Sequence, residues 1–316
     1  MKIQWFPGHM YKAGKEIKES LPDIDLLIEV LDARLPFSSA NPLLSEMRGD
    51  KPCIKILNKA DLADPERTQQ WQDYLEKEEG VKTLALTALQ GDSALKVVDL
   101  CRKLIPHKSE GTKVIHALIM GIPNVGKSTL INALAGRTIA KTGNEPAVTK
   151  RQQRIDLRNG IILHDTPGML WPNLENYNTG YRLATTGAIK DTALKHDDVA
   201  SFAGEFLLEN YPEALTKRYQ IDPLPATDYE LSMIIGKKRG CLRAGGNIDM
   251  DKVAKILLAE IRDGSLGRLT FETPAIMQKE LVELAAIRKK KVAKKVKRKK
   301  NWKGGKKGDD KGNKKT

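Results

Sequence analysis

The sequence predicts an α/β domain, with a mostly parallel sheet and helices on both faces, followed by an all-α domain and a basic disordered tail. Three observations predict this fold class. Short apolar runs alternate with helical patterns from residue 24 to 173, helical patterns alone follow to residue 285, and lysine dominates the rest. Strand–helix alternation implies a sheet covered on both faces. The expected boundaries are 1–175, 176–285 and 286–316.

Taken in order, the runs at 24–31, 53–57, 83–86, 114–120 and 161–163 read as buried strands, because their apolar residues are continuous rather than alternating. Asp64 can cap a helix with Pro65 in its first turn. A second helix opens after Gly91, with Leu95, Val98, Cys101 and Ile105 expected on its buried side. A third begins near residue 127. Beyond residue 179 the pattern is a run of helices. In one of them Asp249 is the expected cap, Val253, Ile256, Leu257 and Ile261 the apolar face, and Gly264 the stop. Residues 303–316 have the composition of a segment that stays disordered by itself.

The formal charge is +14, and it is concentrated. Residues 288–316 hold 16 Lys and Arg against Asp309 and Asp310, which leaves residues 1–287 with 38 charges of each sign. A basic arm on a neutral body points to a polyanion partner. Cys53, Cys101 and Cys241 lie far apart with no metal-ligand spacing, so they read as reduced thiols. No apolar run is long enough to span a bilayer, and the opening residues lack the apolar core of a signal peptide. A soluble, cytoplasmic monomer is expected, with no stable membrane association.

The chemistry begins at Gly121-Ile122-Pro123-Asn124-Val125-Gly126-Lys127-Ser128. Lying between a strand and a helix, this is a phosphate-binding loop. Backbone N–H groups of Val125, Gly126 and Thr129 and the helix N-terminus favour phosphate oxygens. Lys127 is placed to reach the outer phosphates, and the Ser128 hydroxyl to ligate Mg²⁺. Asp165-Thr166-Pro167-Gly168 follows the last strand. Its carboxylate suits the Mg²⁺ through water, and the Gly168 N–H suits a γ-phosphate. Asn58-Lys59-Ala60-Asp61 follows the second strand. The Asp61 carboxylate can accept from the N1–H and exocyclic amine of guanine, and ATP would leave it unpaired. Asn58 can contact the base edge and tie its loop to the phosphate loop, and Thr87-Ala88-Leu89 can offer a backbone N–H to the guanine carbonyl. Thr149 is the switch threonine expected to join Mg²⁺ and the γ-phosphate, and is otherwise a plain loop residue.

The order of these parts is rotated, with the guanine motif ahead of the phosphate loop. The fold expected is therefore a circularly permuted P-loop GTPase domain. Residues 176–285 then leave the nucleotide domain soon after Asp165–Gly168, the segment that responds to the γ-phosphate, so nucleotide state is expected to bias them. Met169 stands where many GTPases have a water-orienting glutamine. His9 is the candidate replacement, read either as a water-orienting group or as a loop histidine. His116 and His164 are expected to pack or to hydrogen-bond on their strands.

These residues resemble the YlqF/RbgA family of circularly permuted GTPases that assist assembly of the large ribosomal subunit. The resemblance runs from about residue 3 to 275. It is carried by Ile3-Gln4-Trp5-Phe6-Pro7-Gly8-His9-Met10, Asp32-Ala33-Arg34-Leu35-Pro36 with Asn41-Pro42, the Asp165–Gly168 motif with Leu170-Trp171-Pro172, Gly187-Ala188-Ile189-Lys190-Asp191, and Arg239-Gly240-Cys241-Leu242 with Gly245-Gly246 and Ile248-Asp249. It implies His9 as the catalytic histidine, a potassium ion near Asn124, and an RNA-binding helical domain. The implied partners are GTP and GDP, ribosomal RNA and the large (50S) subunit precursor. Ala147 departs from the family's usual glycine, and the lysine tail lies outside the shared core. Two other classes stay open on the residues alone: a GTPase acting on another RNA or at a membrane surface, and a nucleotide-gated binding protein with negligible turnover.

Overall fold

The computed structural model describes residues 8–88, 92–109, 113–140, 152–171, 176–189 and 195–305. Its centre is one six-stranded sheet in the order β3-β2-β1-β4-β6-β5. The strands are β1 (Leu26–Asp32), β2 (Cys53–Asn58), β3 (Val81–Leu86), β4 (Ile115–Gly121), β5 (Gln153–Asp156) and β6 (Ile161–Asp165). Five run parallel, and β5 pairs antiparallel with β6. All residues of β1 and β2 are buried, including Glu29 and Lys55, which pair with each other at 3.3 Å. β5 was not legible as a strand: of its four residues only Ile155 is buried, so it carries almost no apolar signal.

Helices flank this sheet: α1 (Gly8–Ser20), α2 (Pro42–Arg48), α3 (Pro65–Leu75), α4 (Asp92–Leu104), α5 (Pro106–Ser109) and α6 (Lys127–Ala135). The Asp64 carboxylate caps α3, accepting from the N–H groups of Glu66 and Arg67. On α4 the expected stripe is corrected at one position. Val98, Cys101 and Ile105 are buried but Leu95 is 66% exposed. At 3.6 residues per turn the stripe continues through Ala94 and Val97 instead.

Five further helices follow: α7 (Tyr177–Thr185), α8 (His196–Asn210), α9 (Pro212–Tyr219), α10 (Asp228–Lys238) and α11 (Met250–Asp263). α11 behaves as expected. Asp249 accepts from the Lys252 N–H, Val253, Leu257 and Ile261 are buried, and Gly264 ends the helix in the left-handed region. Residues Met1–Thr273 form one compact unit, and Pro274–Thr316 a second. Among the described residues the second is a single helix, α12 (Pro274–Gly305). Lysine is a good helix former, so helix extends into the lysine-rich segment where disorder was expected from residue 303. No described helix is long and apolar enough to cross a membrane.

Candidate nucleotide site

Strand order locates the site. From β1 the chain moves outward one way through β2 and β3, and from β4 it moves the other way through β6. Ligands of open α/β sheets bind at the carboxyl ends of the strands where the order reverses. Here those ends are Asp32 (β1), Asn58 (β2), Gly121 (β4) and Asp165 (β6).

Gly121 opens the phosphate loop and α6 follows it. Gly126 caps α6 at φ 89°, and a Cβ there would lie 2.2 Å from the Asn58 Nδ2. Only glycine meets both conditions. Lys127 is buried at the start of α6, with its ammonium on the Asp165 Oδ1. Among the described residues the other carboxylate oxygen of Asp165, Oδ2, is buried with no hydrogen-bond partner. Burial pushes the Asp165 carboxyl up, and Lys127 offsets this only in part. A buried carboxylate with one open oxygen, bonded to the lysine that precedes Ser128 in the chain, fits a magnesium ion held by hydroxyl and water oxygens.

The guanine motif is fastened to this loop. The Asn58 Nδ2 donates to the Val125 carbonyl (2.7 Å), and the Asn58 Oδ1 accepts from the Ala88 N–H (3.0 Å). One amide thus joins all three loops. Within the Thr87-Ala88-Leu89 stretch, the Ala88 N–H is bonded to Asn58. Lys59, at φ 61°, donates to the Asn124 carbonyl (2.6 Å) and to the Asp32 Oδ2 (3.0 Å). Asp61 is exposed at the rim, where the Thr87 hydroxyl donates to its Oδ1 (3.0 Å). The Thr87 hydroxyl thereby orients the carboxylate.

The segment after β6 is equally constrained. The Thr166 hydroxyl donates to the Ile119 carbonyl (3.0 Å), and a Cβ on Gly168 would lie 3.1 Å from the Pro123 backbone. Met169 donates its N–H to the Gly121 carbonyl (3.1 Å), and its carbonyl accepts from the Asn41 Nδ2 (2.8 Å). Its side chain is 2% exposed, with its sulfur facing Gly14 of α1. Met169 is thus a packing residue, and it packs against the helix on which His9 falls. The His9 side chain and Thr149 lie outside the described residues. His116 and His164 bond to each other through Nδ1 and Nε2 at 3.0 Å.

Residue chemistry alone left several contributors unassigned. Asp32, Arg34 and Asn41 stood only within the resemblance. An aspartate ending a buried strand, with an arginine two residues on, is a signal that could have found the first two. Arg262, treated below, leaves no such trace.

Known proteins resemble this chain along most of its length. Residues 116–204 match the family model described as "50S ribosome-binding GTPase". Over 289 residues the chain is 48% identical to the ribosome biogenesis GTPase A of Priestia megaterium, covering 89% of this chain and 100% of that protein. The Thermotoga maritima protein of the same name is 30% identical over 272 residues, 86% of this chain and 95% of that one. The GDP-bound structure of YlqF from that organism superposes with a TM-score of 0.58 at 27% identity, covering 82% of this chain and 99% of that chain.

Proposed function

The chain belongs to the ribosome biogenesis GTPase A family and is a GTPase of ribosome assembly, and on that premise we propose that it docks on ribosomal RNA of the large-subunit precursor with GTP bound and leaves after hydrolysis. The observation that carries this reading is the pair of bonds from Asn58 and Lys59 to the Val125 and Asn124 carbonyls. They make one site of motifs encoded in reversed order. Asp61 reads guanine, and the phosphate loop from Asn124 to Thr129 holds the phosphates.

In this reading water attacks the γ-phosphorus as its bond to the β-bridging oxygen breaks, giving GDP and phosphate. Lys127 exchanges Asp165 for phosphate oxygens and offsets the charge on the leaving group. His9 orients the attacking water, a role the buried Met169 has no group to perform. Ser128, Thr149 and, through water, Asp165 would hold magnesium, which supplies charge neutralisation between the β- and γ-phosphates when bound. Gly168 donates its N–H to the γ-phosphate. Asn124 is the proposed ligand of a potassium ion, an idea that equal turnover in Na⁺ and K⁺ would remove.

Residues 1–175 form the nucleotide domain, 176–285 the RNA-binding domain, and 286–316 an arm whose lysines displace counterions from RNA. The protein works as a monomer in the cytoplasm. The test is co-sedimentation with 50S precursors. Binding with a GTP analogue that is at least tenfold stronger than with GDP is expected, and equal binding in both states would overturn the proposal.

A further inference from the structure

Two arginines outside the nucleotide loops cap the carboxyl ends of two helices, and both lead back to those loops. Arg34, 1% exposed, grips Asp32 through a fork, Nε to Oδ1 at 2.9 Å and Nη2 to Oδ2 at 2.8 Å. Its remaining nitrogen, Nη1, points at the last carbonyls of α11, those of Ile261 (3.4 Å) and Arg262 (3.5 Å). Arg262 in turn caps α7, donating from Nε to the Thr185 carbonyl (2.9 Å) and from Nη2 to the Ala184 carbonyl (2.8 Å). Cations are favoured at both places, because unpaired carbonyls and the negative end of the helix lie there.

The turn after α7 closes the path. The Gly187 N–H bonds to the Ala184 carbonyl (3.1 Å) and the Ala188 N–H to the Leu183 carbonyl (2.8 Å). Gly187 takes φ 81°, and a Cβ there would sit 3.4 Å from the Arg262 guanidinium. The Gly187 carbonyl is left to face the phosphate loop, where the Asn124 Nδ2 donates to it at 2.8 Å. The Asn124 carbonyl accepts from Lys59, and Lys59 reaches Asp32. The bonds form a ring: Arg34, Asp32, Lys59, Asn124, Gly187, the carbonyl end of α7, Arg262, the carbonyl end of α11, and Arg34 again.

We propose that Arg262 and Arg34 are positioning residues of the nucleotide site, and that this ring couples the carboxyl ends of α7 and α11 to nucleotide binding. Arg262 acts through Gly187 on Asn124, and Arg34 acts through Asp32 on Lys59. Both nucleotide loops are therefore reported at one point, the last turn of α11. Coupling is reciprocal: a partner that fixes α11 tightens nucleotide binding, and nucleotide stiffens the turn after α7. The inference rests on the reading of these loops as the GTP site, and it adds the route by which that site reaches the helical region.

The test uses the full chain and nucleotide alone, without ribosomal particles. Hydrogen exchange is followed with and without saturating GDP. In the unsubstituted chain, GDP is expected to slow exchange in the phosphate loop and also in residues 182–188 and 258–264. In Arg262→Ala, the phosphate-loop protection stays and the remote protection disappears. The GDP Kd rises about fivefold, the lower end of ordinary coupling. Exchange in α8 and the sheet without nucleotide is unchanged, which separates positioning from general loosening. Arg34→Lys keeps the charge but loses the fork, and is expected to uncouple residues 258–264 in the same way. Arg262 is only partly buried, so its variant carries the test even if Arg34→Lys fails to fold. Remote protection that is identical in Arg262→Ala, or missing from the unsubstituted chain at saturating GDP, would overturn the inference. Failure of that chain to bind GDP at all would sink the functional reading first, and this one with it.

Discussion

Two aspartates end neighbouring regions of the sheet, Asp32 on β1 and Asp165 on β6, and each holds a lysine of a nucleotide loop. They are otherwise opposites. Asp32 has both oxygens engaged by the Arg34 fork and by Lys59. Burial alone would raise its carboxyl, but Arg34 and Lys59 outweigh burial and hold it well below the usual carboxylate range. Asp165 has one lysine, one buried oxygen without a partner among the described residues, and a carboxyl pushed up. The first carboxylate is completed within the protein and is a fixture. The second leaves one oxygen open, and in the proposed mechanism its lysine moves to the phosphates. A buried charge that is over-satisfied marks structure, and one that is under-satisfied marks chemistry.

The largest expected effect would break this comparison at the lysines. Lys127→Ala is expected to lower GTP hydrolysis on the order of a hundredfold or more, measured as phosphate release under saturating GTP. Asp165→Asn is expected to cost about a hundredfold in turnover and to shift its magnesium dependence. Its stability loss should be the smaller of the two aspartate variants, since it leaves one buried cation, Lys127, without a carboxylate and removes a charge that burial already disfavours. Asp32→Asn is expected to cost more in stability. It leaves Arg34 buried beside a neutral amide, and a stability loss of about 3 kcal/mol is expected by urea unfolding. If Asp165→Asn proves the more destabilising of the two, the distinction is wrong. The smallest effect concerns acid. The folded-state carboxyl of Asp32 lies below its ordinary value of 3.8, so its stabilisation is full above that value and is lost as pH falls through and below it. Urea midpoints between pH 5 and 3 should decline less steeply in Asp32→Asn than in the unsubstituted chain.

Much of this was legible before any coordinates. Where burial is complete or nearly so, as in β1, β2 and β4, a mainly apolar run reads as a buried strand. Gly126 and Lys127 could be placed because their chemistry is local, a turn that only glycine takes followed by a helix start. Asp64, Asp249 and Gly264 were legible as caps for the same reason. The unread parts share the opposite property. β5 has one buried residue, so its pairing is set by its neighbour β6. Arg262 reaches α7 across 77 residues of sequence, and nothing in its surroundings on the chain marks it. The Thr87-Ala88-Leu89 stretch could be placed beside the base by its position after β3, but the bond from the Ala88 N–H to Asn58 is visible only in the fold. Leu95 missed the buried face of α4 because a stripe can drift by one residue and keep its period.

The strand order also has a consequence for synthesis. β1 pairs with β2 on one edge and with β4 on the other. A growing chain completes β1, β2 and β3 while β4 is still unmade, and until then one side of its most buried strand is an open template. The half that carries Asn58 to Asp61 is thus born first and waits, with a sticky edge, for the half that carries Gly121 to Ser128. A ribosome that pauses between residues 86 and 121 would prolong that exposure, and truncation there should yield aggregates instead of a smaller folded domain.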